Sequence, residues 1–211
     1  MTTVLSTDID SPLMDPERPV TASVRPLSAE DGAILKSAFR EFEMRDFAEC
    51  LKLLETAPVH PEVLNLRGAA MVEMGKKKDA AGMFQWAIYL DPMHFWARYN
   101  LAEIALLSGD LDRARKQFMV VPQRSLADRE LVKLKLLLID LRLDDEASAR
   151  RQLPEWPPAS AAGYAAYAAM AHREGNEPQR AAILAESRRL YPDQSGMFLK
   201  KTLEESGVPA N

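Results

Sequence analysis

The fold is decided by residues 61–92, PEVLNLRGAAMVEMGKKKDAAGMFQWAIYLDP, because their pattern returns in residues 95–122, FWARYNLAEIALLSGDLDRARKQFMVVP. A shift of 34 positions brings small and aromatic residues of the first stretch onto small and aromatic residues of the second: Gly68 onto Ala102, Gly75 onto Gly109, Ala80 onto Ala114 and Phe84 onto Phe118. Agreement at several positions with one offset predicts an internal repeat.

Further copies extend the repeat in both directions. Residues 160–192, SAAGYAAYAAMAHREGNEPQRAAILAESRRLYP, carry Ala168 and Gly175 at the positions of the small residue and the turn glycine. Residues 125–153 have the length of another copy with weaker landmarks, and residues 28–58 look like a shortened first copy with its turn at Met44–Asp46. The sequence therefore predicts about five copies.

Each copy consists of two stretches with helical apolar periodicity, joined by a tight turn, and this pattern predicts a helical hairpin. We expect the turn glycines Gly75, Gly109 and Gly175 to end the first helix in the left-handed conformation that glycine adopts at little cost. The sequence also predicts that Phe84 and Phe118 fill the wedge between a hairpin and its successor. Helix starts are predicted at Ser28 and Ser125, each three residues before an aspartate, and at Pro61.

The pattern resembles the tetratricopeptide repeat family, through Gly68, Ala80, Phe84, Ala87 and Pro92 in one copy and Leu101, Ala102, Ala114 and Phe118 in the next. The last copy departs from it, with Arg180 and Leu184 where a small and an aromatic residue are expected. The resemblance implies an all-α, right-handed superhelical solenoid of about five antiparallel helix-hairpin repeats, whose first helices line a concave groove.

Four segments are expected along the chain. Residues 1–27, with four prolines and few large apolar residues, are predicted to be a flexible N-terminal arm. Residues 28–192 form the repeat array, residues 193–207 a C-terminal capping helix that covers the last hairpin, and residues 208–211 a tail. Within the array, the connector LPEWPPAS at 153–160 is expected to be stiff, with Trp156 plugging a seam.

The composition bounds the function. A chain of 211 residues with 47% apolar residues and a net charge of −4 has the balance of a soluble cytoplasmic protein, and the acidic balance argues against nucleic acid as the main partner. No secretory signal or membrane-spanning stretch is recognised. The single cysteine, Cys50, is expected to be a buried structural thiol.

No enzymatic or metal-binding pattern is found in the sequence. The three histidines, His60, His94 and His172, are not in a paired-ligand spacing, and neither a phosphate-binding glycine loop nor a nucleophile motif is present. We therefore expect no catalysis, no cofactor and no metal.

The candidate partner-binding residues come from the first helices. After Pro92 a helix is expected to begin at His94 or Phe95, and its residues Trp96, Tyr99, Glu103 and Leu106 share one face. The alternative is that Trp96 and Tyr99 pack against the neighbouring repeat. The full predicted groove set is Trp96, Tyr99, Asn100, Glu103, Leu106, Asn65, Ala69, Val72, Phe39, Phe42, Leu136 and His172, to which the same face adds Val132, Ile139, Ala165 and Ala169.

This predicted groove is mostly apolar, and only Asn100 resembles the polar set with which tetratricopeptide co-chaperones hold a terminal carboxylate. The leading hypothesis is an adaptor that binds a protein or peptide segment. A chaperone of the type III secretion kind, a self-associating structural protein, and a groove filled by apolar residues of the chain's own N-terminal arm remain open as alternatives.

Overall fold

The computed structural model describes residues 25–193, 200, 202–204 and 207–209. Every regular element within them is a helix. Ten helices have defined bounds: α1 Ala29–Glu43, α2 Phe47–Leu54, α3 Pro61–Glu73, α4 Lys77–Leu90, α5 Phe95–Leu107, α6 Leu111–Met119, α7 Leu126–Arg142, α8 Glu146–Arg151, α9 Ala161–Arg173 and α10 Glu177–Leu190. The predicted all-α class is confirmed, and the helices follow one another as five hairpins.

We call α1, α3, α5, α7 and α9 the first helices and their hairpin partners the second helices. The predicted arm lies outside the described residues up to position 24, as does much of the predicted capping helix. Of that helix, Lys200 and Thr202–Glu204 are described and are helical.

The chain divides into two compact units, Met1–Ala97 (unit 1) and Arg98–Asn211 (unit 2), with the boundary inside α5. The core of unit 1 includes Cys50, which is fully buried; burial raises the pKa of its thiol to about 11, so it is a structural thiol as predicted. The core of unit 2 joins side chains from α7, α9 and α10 to Leu203 and Val208 near the C-terminus.

One turn geometry joins the two helices of all five hairpins. The residue at the turn has a positive φ in each case: Arg45 (65°), Gly75 (78°), Gly109 (78°), Asp144 (56°) and Gly175 (72°). The next amide N–H donates to the carbonyl five residues earlier at 2.8–3.1 Å, which closes the first helix. The prediction for the three glycines is confirmed. Arg45 and Asp144 take the same conformation despite their side chains, which disguises the first and fourth copies in the sequence.

Close packing within the second hairpin depends on Gly68. A Cβ atom added to Gly68 would lie 2.5 Å from Cε1 of Phe84, whose ring is fully buried. In the third hairpin Phe118 also contacts the first helix, with its ring centroid 5.3 Å from that of Tyr99. Both phenylalanines therefore pack against the first helix of their own hairpin, a contact that the predicted wedge between successive hairpins did not include.

The first helices begin at the predicted caps. The hydroxyl of Ser28 accepts the N–H of Asp31 at 3.1 Å, and Ser125 accepts that of Asp128 at 3.0 Å. Pro61 occupies the first turn of α3.

The fourth hairpin is the most irregular. Its second helix, α8, has six residues, whereas its first helix, α7, has seventeen. The fully buried Asp140 of α7 lies 3.0 Å from Nε of Arg115 on α6, and burial raises the pKa of its carboxyl group above the usual value. This ion pair is one of the contacts that join the third and fourth hairpins.

The connector between α8 and α9 is held by tyrosines. The hydroxyl of Tyr167 donates to the carbonyl of Pro154 at 2.8 Å, and that of Tyr191 donates to the carbonyl of Pro158 at 3.3 Å. Trp156 contacts the Tyr167 ring edge-on at 5.1 Å but remains 58% exposed. The prediction that Trp156 plugs a seam is therefore wrong, because the connector turns its indole outward over the tyrosines.

Four of the second helices begin with the same kind of side-chain cap, and α4 lacks it. Asp46, Asp110, Asp145 and Asn176 each accept the N–H of the residue three positions on, at 3.0–3.2 Å. At the same position α4 has Lys76, which makes no side-chain cap and is followed by two more lysines. Positive charge at a helix N-terminus opposes the helix dipole.

Replacing Lys76 by aspartate is expected to raise the free energy of unfolding by about 1 kcal/mol, because it supplies the cap that the other second helices have. Denaturant unfolding of the variant and the wild type measures the change. Lys77→Asp is the matched control, since it brings the same charge one residue inside the helix without the cap. Equal gains from both variants would show that charge alone matters and that the cap contributes nothing.

Candidate partner-binding surface

Two histidines cap consecutive first helices at equivalent positions. Nδ1 of His60 accepts the N–H of Glu62 at 3.2 Å, and Nδ1 of His94 accepts the N–H of Ala97 at 3.1 Å. His94 is buried, and its Nε2 lies 3.3 Å from Oε2 of Glu62, so it connects the starts of α3 and α5. The spacing of these histidines does not predict metal ligands, and no local sequence pattern identified them as caps.

The cap at His94 positions Trp96 at the start of α5. Phe95 turns inward and is buried, whereas Trp96 stands against it edge-to-face, with ring centroids 4.9 Å apart, and keeps 47% of its surface exposed. A tryptophan that is half in solvent and supported by a buried ring is suited to contact a partner without being needed for the core.

A second exposed aromatic residue lies on α1. Phe39 is 50% exposed and stacks on Phe42 at 6.4 Å, and Phe42 contacts Phe47 of α2 edge-on at 5.5 Å. On the intervening first helix, α3, the predicted residues Asn65, Ala69 and Val72 are half-buried. The predicted positions of unit 1 thus keep accessible, mainly apolar side chains. We call Phe39, Phe42, Asn65, Ala69, Val72 and Trp96 the unit 1 face.

The predicted face of unit 2 needs correction at two of its site residues. Tyr99 is 1% exposed and packs against Phe118, and burial, with a smaller effect of Glu103, raises the pKa of its hydroxyl well above the usual value. Leu136 is also buried. Tyr99 packs against Phe118 of its own hairpin, whereas the alternative supposed the neighbouring repeat, and neither side chain offers its surface to a partner.

The other predicted residues of unit 2 are half-buried. Oε2 of Glu103 lies 3.0 Å from Nζ of Lys135, and Nδ1 of His172 lies 2.6 Å from Oε1 of Glu177 across the turn of its own hairpin. Asn100 and Leu106 keep part of their surface. The same face also contains Val132, Ile139, Ala165 and Ala169, all of which are buried. The structure thus leaves little of this face accessible.

Sequence reasoning missed two cations that bind the C-terminal segment. Lys135 is 2% exposed, and its Nζ donates to Oγ1 of Thr202 at 3.4 Å. Nη1 of Arg180 donates to the carbonyl of Pro209. Arg180 departs from the repeat pattern, and this departure is the signal in the sequence for a buried contact, since a cation in place of a small residue requires a partner.

The described residues contain neither a cluster of metal ligands nor a membrane-spanning helix. No group of three or more His, Cys, Asp or Glu side chains in the described ranges is arranged to hold a metal ion. No helix among those with described residues has the length and apolar character needed to cross a membrane.

The hairpins and their turns define a tetratricopeptide-like helical repeat. A solved structure described as the functional characterization of Pseudomonas aeruginosa pilF, a tetratricopeptide-repeat protein, is similar to this chain with a TM-score of 0.53 and 14% sequence identity, covering 83% of this chain and 96% of that one. At this identity the likeness supports the fold. No protein-family model and no curated protein matches the sequence.

Proposed function

We propose that the protein is a cytoplasmic adaptor that binds a segment of another protein on the unit 1 face and carries out no chemistry. The single observation that carries this proposal is the pair of exposed aromatic side chains, Phe39 and Trp96, on first helices at positions predicted to contact a partner. Each rests on a second aromatic ring, which limits the conformational entropy that binding removes.

The apolar character of the unit 1 face supports a partner that presents hydrophobic anchors. Ala69 and Val72 are half-buried between the two aromatic residues in the sequence, and Asn65 is the polar member of the set. Repeat proteins of this fold typically bind extended or helical segments along their first helices. A binding role also agrees with the general use of the tetratricopeptide-like fold in protein interaction.

Replacing Trp96 by alanine is expected to weaken partner binding by about 2 kcal/mol or more, roughly 30-fold in affinity, because large aromatic side chains dominate the energy of most interfaces. The melting temperature should change little, since the indole is half exposed. Affinity capture from the native lysate with tagged wild type and variant, compared by quantitative mass spectrometry, measures the first effect, and thermal unfolding the second.

Val59→Ala is the matched control, because Val59 is 59% exposed in unit 1 but lies in the connector before α3. Proteins lost with Trp96→Ala and retained with Val59→Ala are the partners of the unit 1 face. If the two variants retain the same proteins, binding does not use this face and the proposal is wrong. A captured partner that stays soluble only when co-expressed indicates the chaperone alternative, and capture of the chain itself indicates self-association.

A further inference from the structure

In unit 2, the first helices α7 and α9 lack the accessible side that α1 has in unit 1. In α7, residues 134–140 are buried without interruption, and in α9 residues 161–166 and 168–171 are buried. In α1, by contrast, Ala38 is the only buried residue. A helix that is buried all round must be covered by another element on the side that would otherwise face solvent.

The C-terminal segment lies against that side of α7. Nζ of Lys135 donates both to Oε2 of Glu103, at 3.0 Å, and to Oγ1 of Thr202, at 3.4 Å. Glu103 is a predicted partner-binding residue, so the ammonium group places Thr202 beside the predicted face. Leu203 follows and is 1% exposed within the core cluster that contains Leu134 and Ala165.

The end of the segment is attached separately, to α10. Arg180, nearly buried, donates from Nη1 to the carbonyl of Pro209, while its Nε donates to Oε2 of Glu177 at 2.5 Å. Between the two attachments the N–H of Val208 donates to the carbonyl of Leu203 at 2.9 Å, and Val208 is buried. The segment is therefore attached near both ends.

Few buried side chains hold the segment in place. Of its described residues, Leu203 and Val208 bury large apolar side chains, whereas Lys200, Glu204 and Pro209 are exposed. Segments with few buried apolar contacts open locally without unfolding the rest of the protein.

We propose that the described C-terminal residues (200, 202–204 and 207–209) are an intramolecular ligand of the first-helix face of unit 2, which they leave when a competing segment of similar chemistry binds. The competitor is a segment of another protein that offers a hydroxyl group next to a leucine, so that Lys135, which keeps Glu103, regains the acceptor that Thr202 supplied and the apolar site is refilled. The inference rests on the proposed function in treating first-helix faces as binding surfaces, but it concerns a different unit of the chain.

The test uses the full-length chain with Leu203→Asp and Val208→Asp, which detach the segment, and a fluorescent peptide of residues 200–211. The variant is expected to bind the peptide saturably. The wild type is expected to bind it with an affinity lower by about tenfold or more, because its own segment competes at a high effective concentration. Glu204→Ala, an exposed position in the same segment, is the matched control and should behave like the wild type. A folded variant that does not bind the peptide overturns the proposal.

Hydrogen exchange on the wild-type chain decides the question even if the variant does not fold. The amide of Val208 is expected to exchange on the order of 100-fold faster than those of α7, because local opening requires less free energy than global unfolding. Equal protection would make the segment an integral part of the core and overturn the proposal.

Adding Trp96→Ala to the detached variant separates this inference from the proposed function. Peptide binding should be unchanged, since Trp96 belongs to unit 1. Loss of peptide binding would place the peptide on the unit 1 face and overturn the inference. Failure of the partner capture with Trp96→Ala, by contrast, would leave the role of the C-terminal segment intact.

Discussion

Replacing Phe84 by alanine is expected to lower the free energy of unfolding by about 3–5 kcal/mol, which is the usual cost of removing a large aromatic side chain from a core. The ring is fully buried and fills the space above Gly68, where no Cβ atom can lie. Chemical denaturation at constant pH, with the slope of the transition checked for two-state behaviour, measures the loss.

Phe39→Ala is the matched control, because it removes the same side chain from a half-exposed position of the same unit. It should cost about 1 kcal/mol or less. Equal losses for the two variants would contradict the assignment of Phe84 to the core.

The close approach at Gly68 makes a second test of the same contact possible. Gly68→Ala alone should destabilise the protein, because the new methyl group meets the Phe84 ring. In the Phe84→Ala background the same substitution should be nearly neutral or stabilising, since the methyl group then enters the cavity and alanine favours the helix. Additive effects in this double-mutant cycle would show that the two residues are not coupled.

Replacing Glu130 by alanine is expected to cost about 3 kcal/mol, because this buried carboxylate of α7 holds the N-terminus of α9. Oε1 accepts the N–H of Ala159 at 2.8 Å, and Oε2 accepts the hydroxyl of Ser160, the cap residue of α9, at 2.6 Å. Removing the carboxylate takes the acceptor from the buried hydroxyl of Ser160 and leaves the N–H of the exposed Ala159 to water. Denaturant unfolding gives the size of the effect, and hydrogen exchange of α9 shows whether its first turn opens.

Glu146→Ala provides the comparison for Glu130. Glu146 pairs with Arg150 on the surface of α8, and exposed pairs of this kind contribute little. Its loss is expected to change the stability by less than about 1 kcal/mol. A Glu130 variant that is no less stable than the Glu146 variant would mean that the connector and α9 are held by other contacts.

The hairpin turns could be predicted from sequence because their signals are local. Gly75 lies within one hairpin, and the residues that require its backbone conformation are its immediate neighbours. The cap serines are equally local. Arg45 and Asp144 adopt the same conformation, but arginine gives no signal for it and aspartate only a weak one, so these two turns lack the glycine that marks the others.

The predicted surface residues keep accessible side chains in unit 1, whereas several of those in unit 2 are buried, and the reason is again the range of the contacts. Trp96 and Tyr99 are three residues apart on one helix, so periodicity gives both the same side. What separates them is Phe118, which comes from the second helix and buries Tyr99. The coverage of α7 depends on Thr202, 67 residues beyond Lys135, and no local pattern reports a contact at that distance.

The recurring turn has a consequence for tracing the ancestry of this chain. A profile that scores glycine at the hairpin turn counts three copies, whereas five hairpin turns among the described residues have this conformation, because Arg45 and Asp144 adopt it as well. The dipeptides at these positions are Arg45-Asp46, Gly75-Lys76, Gly109-Asp110, Asp144-Asp145 and Gly175-Asn176. What the five hairpins share at this position is a dihedral angle, and in four of them a capping side chain after it. Distant relatives with little sequence identity are therefore best sought by this pairing of backbone conformation and helix cap.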